Sequence, residues 1–97
     1  MYLWKVWQDE QSGWDTYDSM VVAAKTEDEA RKIFPNEGCE IRWSETLNSW
    51  VWPINNNIER YDSSAWAADI ENVKVKKIGT AEQNVKAGVI IASFNAG

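Results

Sequence analysis

Apolar and polar positions alternate most clearly near the two ends of the chain, and both stretches read as strands. Asn72–Ile78 sets Val73 and Val75 between Lys74 and Lys76, the pattern of a strand with one buried and one wetted face. Tyr2–Gln8 is rich in aromatic and branched side chains, with Tyr2, Trp4 and Val6 on one face and Leu3, Lys5 and Trp7 on the other. Aromatics on both faces predict a central strand, or one partly covered on each side. Asp9–Gly13 is polar and ends in glycine, as a hairpin loop does, and a second strand is expected over about Tyr17–Ala24. Val89–Phe94 follows Gly88 and is apolar at consecutive positions, which predicts a strand inside the sheet.

Between these lies a strong helix start. Thr26-Glu27-Asp28-Glu29 matches a capping box, in which Thr26 accepts from the N–H three residues on and Glu29 reaches back to the N–H of Thr26. Ala30, Ile33 and Phe34 form an apolar stripe, and Pro35-Asn36 stops the helix. In the middle, Gly38–Trp43 and Trp50–Ile54 are expected as strands around a turn at Glu45–Asn48. Pro53 marks an edge there, Asn55–Asn57 a turn, and Ser63–Ala68 a short helix. Thr80–Ala87 is polar and reads as one helical turn at most. The expected fold class is α+β: one small, mostly antiparallel sheet, β-β-α-variable middle-β-β, with one main helix packed on one face. Residues 1–97 make a single domain with a variable, Trp-rich middle at about 37–70.

Composition narrows the function more than it identifies it. With 97 residues there is room for one core, and 44% apolar with 26% charged residues suits a globular chain. No apolar run approaches the ~20 residues that span a bilayer, and the first residues lack the pattern of a signal peptide. The expectation is therefore a cytoplasmic protein without a membrane partner. A net charge of −5 argues against direct binding of duplex DNA or RNA, which needs clustered cations, although one pocket can still be locally positive.

Histidine is absent, which removes the commonest general base and nitrogen metal ligand. The single cysteine, Cys39, can form neither a thiolate zinc site nor a Cys–His nucleophile, and reads as an idle thiol. Asp15 and Asp18 lie three apart, so on extended backbone they point to opposite faces and make a poor dyad. No catalytic residue, metal or cofactor is expected. Seven tryptophans are many for this length. Most should fill the core, but two or three suffice for a stacking wall, and Trp50, Trp52 and Trp66 are the candidates from the middle. Lys74, Lys76 and Lys77 form the one basic cluster, a solvated strand face or a phosphate-contacting strip.

Two pieces of the chain carry a resemblance. Asp15-Thr16-Tyr17-Asp18-Ser19 with Val21-Val22-Ala23-Ala24, Glu27, Glu29-Ala30-Arg31 and Pro35 resembles the start of small accessory proteins encoded by tailed bacteriophages and prophages. Val73-Lys74-Val75, Ile78-Gly79 and Gly88–Gly97, with its terminal Ala-Ser-Phe-Asn-Ala-Gly, resembles their ending. The resemblance implies a phage accessory protein expressed in a bacterial cytoplasm and carries no catalytic assignment. Its Trp-rich segment 40–70 looks longer than the family's middle.

The polar ends of the second and last strands then suggest a pocket. Tyr17, Asp18, Ser93 and Asn95 would converge at one sheet edge, flanked by Trp14 and Phe94. The expected function is non-enzymatic: sequestering a small nucleotide-like host signal in counter-defence, through aromatic stacking and polar contacts. The alternative is an acidic protein–protein inhibitor of the anti-CRISPR kind that blocks a host defence protein. An enzyme using Asp or Tyr acid–base chemistry ranks third, and homo-oligomerisation is compatible with each.

Overall fold

The computed structural model describes residues 1–35, 40–54, 57–62 and 64–95, with Ile54 described for its backbone alone. The expected idle thiol Cys39 and the expected turn residues Asn55 and Asn56 lie outside them. The alternation of β1 (Tyr2–Trp7) seeds the core, because Trp4 and Val6 are buried while Lys5 between them is exposed. β1 pairs antiparallel with β2 (Thr16–Ala24) on one side. On its other side it pairs with β6 (Lys74–Thr80). The outer flank of β2 takes β7 (Gly88–Asn95), giving a four-stranded sheet in the order β6-β1-β2-β7.

The middle of the chain builds a second sheet rather than a variable insertion in the first. β3 (Arg42–Ser44), β4 (Ser49–Ile54) and β5 (Asn57–Arg60) follow one another as an antiparallel meander. The single-sheet expectation is thus corrected to two sheets. The expected helix at Ser63–Ala68 is also corrected. Its described part is irregular, and a single 3-10 turn follows at Ile70–Asn72, capped by the Asp69 side chain on the N–H of Glu71. β7 is likewise an edge strand, with Ile90, Ile91 and Phe94 exposed, rather than an interior one. A consecutive apolar run is equally compatible with either place, since periodicity does not count a strand's neighbours.

The helix α1 (Glu27–Arg31) has five residues, shorter than the stripe to Phe34 predicted. Thr26 Oγ1 accepts from the N–H of Glu29 (3.1 Å), as a capping residue should. The Glu29 carboxylate reaches one residue further back than expected, to the N–H of Lys25 (3.1 Å). Beyond Arg31 the bonds tighten to i→i−3, Lys32 to Glu29 and Ile33 to Ala30. Ile33 then bridges to Arg42, and Phe34, held out of the α region by Pro35, turns its ring into the core. Pairing with the second sheet therefore ends the helix before its apolar stripe is complete. Thr26→Ala should cost about 1 kcal/mol, seen as a lower urea midpoint with an unchanged slope.

The second sheet, α1 and the segment before β6 cover one face of the four-stranded sheet. Trp4, Val6, Met20 and Val22 meet Phe34, Ile41, Trp50, Trp66 and Val73 there. Two indole groups are anchored: Trp4 Nε1 donates to Ala24 O (3.0 Å) and Trp50 Nε1 to Ala67 O (2.9 Å). Trp66 Nε1 is buried and finds no acceptor among the described residues.

Glu10, in the β1–β2 loop, clamps this arrangement from outside. Its carboxylate accepts from the N–H of Ala68 (2.8 Å) and from Asn72 Nδ2 (2.9 Å). Partial burial pushes its carboxyl up, but bonds from Asn72, the Ala68 and Asp69 backbone and Gln11 outweigh that and hold it below the ordinary 4.5. The sign follows directly. The clamp's contribution is fully present above 4.5 and is lost as pH falls below it through the lowered folded value. The protection of the Ala68 amide, the slowing of its exchange relative to an unstructured peptide at the same pH, should therefore fall in acid, and Glu10→Gln should lower it at neutral pH.

Candidate functional site

The opposite face of the four-stranded sheet carries neither helix nor sheet among the described residues, and its register orders the side chains into cross-sheet rows. Trp7 stands opposite Lys74 on β6 and Ser19 on β2, and Ser19 stands opposite Ser93 on β7. The next row runs Lys76, Lys5, Val21, Ile91. The third is uncharged, with Gly79, Leu3, Ala23 and Gly88. Residues directly opposed on neighbouring strands share a face, so each row lies on one surface. The result is a gradient, basic toward β6 and β1, apolar and hydroxylic toward β2 and β7.

A concavity of about 440 Å³ lies on this face, lined by Lys5, Ser19, Val21, Ile78, Ile91 and Ser93 among others. Ile78 and Ile91 are 50% and 66% exposed, apolar surface on the sheet that no helix or sheet among the described residues covers. The bulge between Leu3 and Trp4 makes Ile78 the extra residue of β6, where the regular alternation would have set it differently.

The basic cluster divides by function. Lys74 Nζ pairs with Asp9 (3.0 Å), and Lys77 Nζ sits 3.6 Å over the ring of Tyr2. Neither Lys5 nor Lys76 belongs to a salt bridge among the described residues. Lys5 Nζ instead lies 5.3 Å from the Trp7 ring centroid, a cation on an aromatic face at the rim of the concavity. Among the described residues these two ammonium groups have no carboxylate partner, and they stand side by side at the β6–β1 end of the row that continues into Val21 and Ile91.

The residues predicted from sequence are brought together in part. Asn95 Nδ2 donates to Asp18 Oδ1 (2.9 Å), and the Tyr17 and Phe94 rings meet at 4.7 Å. A bulge makes Asp18 the extra residue between Tyr17 and Ser19, which is how it turns toward Asn95. Tyr17 packs its ring on the core side. Ser93, two residues from Asn95 and so on its face, lines the concavity opposite Ser19. Trp14 stands on the loop, 76% exposed, next to Asp15, whose N–H donates to Asn95 O.

The aromatic half divides differently. Trp50 and Trp66, 2% and 1% exposed, fill the core and present no ring to a ligand, which corrects their place in a stacking wall. Both sit where the two sheets meet, and burial there is what a small core asks of its largest side chains. Trp52, on β4 of the second sheet, is edge-on to Tyr61 at 5.3 Å. Lys5, Trp7, Val21, Ile78 and Ile91 were not singled out as site residues. Their signal was present in Lys5 and Trp7 on one face of β1 and in the lysine strip of β6, but nothing local says which face stays open.

Among the described residues, no group of three His, Cys, Asp or Glu side chains is placed to hold a metal ion. No helix in them is long and apolar enough to cross a membrane. No protein-family model, no curated protein and no solved structure matches the chain.

Proposed function

We propose that this chain is a non-enzymatic binding protein whose open sheet face takes a small, flat, anionic ligand of the nucleotide kind. The observation that carries the reading is the cross-sheet order of unpaired Lys5 and Lys76 beside the apolar floor of Val21, Ile78 and Ile91. Such a floor suits the faces of a base, the ammonium groups donate to phosphate oxygens, and the Ser19 and Ser93 hydroxyls can bond the base edge or ribose. The concavity matches the size class of small-molecule sites, which begins near roughly 300 Å³. A second hollow beside Trp50 and Tyr61 is lined by Asp62 and, among the described residues, by no cation, so it suits an anion less well.

The resemblance to phage accessory proteins supports a biological setting for this chemistry: capture of a host-derived nucleotide signal in the bacterial cytoplasm, as counter-defence. The test is titration of the pure protein with mono-, di- and cyclic nucleotides, followed by calorimetry and by tryptophan fluorescence. Trp7 lies beside Lys5 and should report occupancy. Binding is expected to weaken as salt rises. A panel without binding, and no small molecule released on denaturing protein purified from defence-expressing cells, would refute the proposal.

A further inference from the structure

The two edges of the four-stranded sheet are treated oppositely. β6 carries Lys74, Lys76 and Lys77, the charged residues that keep an edge from pairing with another chain. β7 carries no charged residue from Gly88 to Asn95, and Ile90, Ile91 and Phe94 on it are 49%, 66% and 47% exposed. We propose that β7 is a dimerisation strand that pairs antiparallel with β7 of a second copy about a two-fold axis.

The occupant is argued from self-complementarity. Opposed residues of an antiparallel pair share a face, so a two-fold axis normal to the sheet must pass beside one residue and its own copy. At Ala92 the axis opposes a small side chain to itself. Ser93 then stands opposite the partner's Ile91, and Phe94 reaches the bulge at the partner's Ile90. Each exposed apolar group of the edge thus meets an uncharged residue of β7, and Asp18 on the adjoining strand accepts from Asn95 Nδ2 (2.9 Å). The bulge that makes Ile90 the extra residue of β7 bounds the regular ladder across the axis to Ile91–Ser93, so side chains supply much of the contact.

Trp14 enlarges the contact. Asp15, its neighbour, donates to Asn95 O, which sets Trp14, 76% exposed, in the loop beside the Asn95 end of β7. On the scale of aromatic and branched side chains, Trp14, Ile90, Ile91 and Phe94 offer on the order of 1,000 Å² over two copies, near the least a specific interface needs. The same operation sets the partner's Ile91 beside Ser93, extending the apolar floor of the concavity across the axis. The dimer itself does not depend on a ligand.

Sedimentation equilibrium of the ligand-free protein tests this. A dimer with a concentration-dependent monomer fraction is expected. Ile90→Lys, which gives β7 the guard that β6 has, should weaken it at least tenfold while leaving the circular dichroism spectrum unchanged. In a Cys39→Ser background, Ala92→Cys should form a disulfide-linked dimer on oxidation, because directly opposed strand residues lie within disulfide reach; Ser93→Cys should not. A monomer at every concentration, including one that takes up an extended apolar peptide along β7, overturns the proposal. So does a dimer that Ile90→Lys leaves intact, or one that Ala92→Cys does not cross-link.

Discussion

Trp50→Ala is expected to lower the stability of the fold by about 3–5 kcal/mol, at the upper end of what a single core substitution does. Trp50 is 2% exposed and its ring is held edge-on by Phe34 at 5.1 Å and Trp43 at 5.3 Å. Truncation removes these contacts and opens a cavity where the second sheet meets the first. It also strips Ala67 O of its indole donor, an acceptor whose desolvation adds about 1–3 kcal/mol when left unmet. Against a typical total of about 5–15 kcal/mol, the loss leaves a domain of marginal stability. Urea unfolding checks it.

Two companions make the test specific. Trp14→Ala, at the most exposed tryptophan, should fall within about ±0.5 kcal/mol when the protein is measured as a monomer. Trp66→Phe should cost less than Trp50→Phe. Trp66 loses a buried N–H with no acceptor among the described residues, whereas Trp50 loses a hydrogen bond. Equal effects of Trp50→Ala and Trp14→Ala would mean that the second sheet does not depend on this anchor.

Lys5→Glu is expected to weaken nucleotide binding roughly ten- to hundredfold, the equivalent of losing one charge-assisted hydrogen bond of about 1.5–3 kcal/mol. Lys5 sits at the rim of the concavity with no carboxylate partner among the described residues, so its charge is available to a phosphate. Lys74→Glu is the control. Lys74 is already paired with Asp9, and its loss should change affinity much less. Neither substitution removes buried surface, since both side chains are exposed, so thermal midpoints should move little. Calorimetry at two salt concentrations separates the outcomes. Equal effects of the two substitutions, or an affinity indifferent to salt, would remove the lysine pair from the binding mode.

The four strands of the first sheet were legible because each announces itself locally. Val73 and Val75 between lysines, or Trp4 and Val6 around Lys5, leave one face apolar, and a sheet buries such a face whatever surrounds it. The cap at Thr26 was legible for the same reason: its chemistry is complete within four residues. The helix length was not. It depended on Ile33 finding Arg42 in another element, and the stripe through Ile33 and Phe34 is equally good as a helix face or as a bridge and a core ring.

The site divides along the same line. Residues 17, 18, 93 and 95 were nameable in advance because they end two strands expected to be neighbours, and Asp18 does bond Asn95. Trp50 and Trp66 were misplaced because a tryptophan's sequence neighbourhood does not say whether its ring faces a ligand or another sheet. The sequence by itself determined the strand patterns, the helix start, the acidic balance and the absence of histidine chemistry, all of which follow from residue type and short spacing. Tertiary structure alone decided that the middle makes a second sheet and which face of the first sheet that sheet covers. Alternation says that a strand has two faces, but only packing across distant segments says which one is closed. Here the closed one holds Trp4, and the open one holds Lys5, Val21 and Ile91.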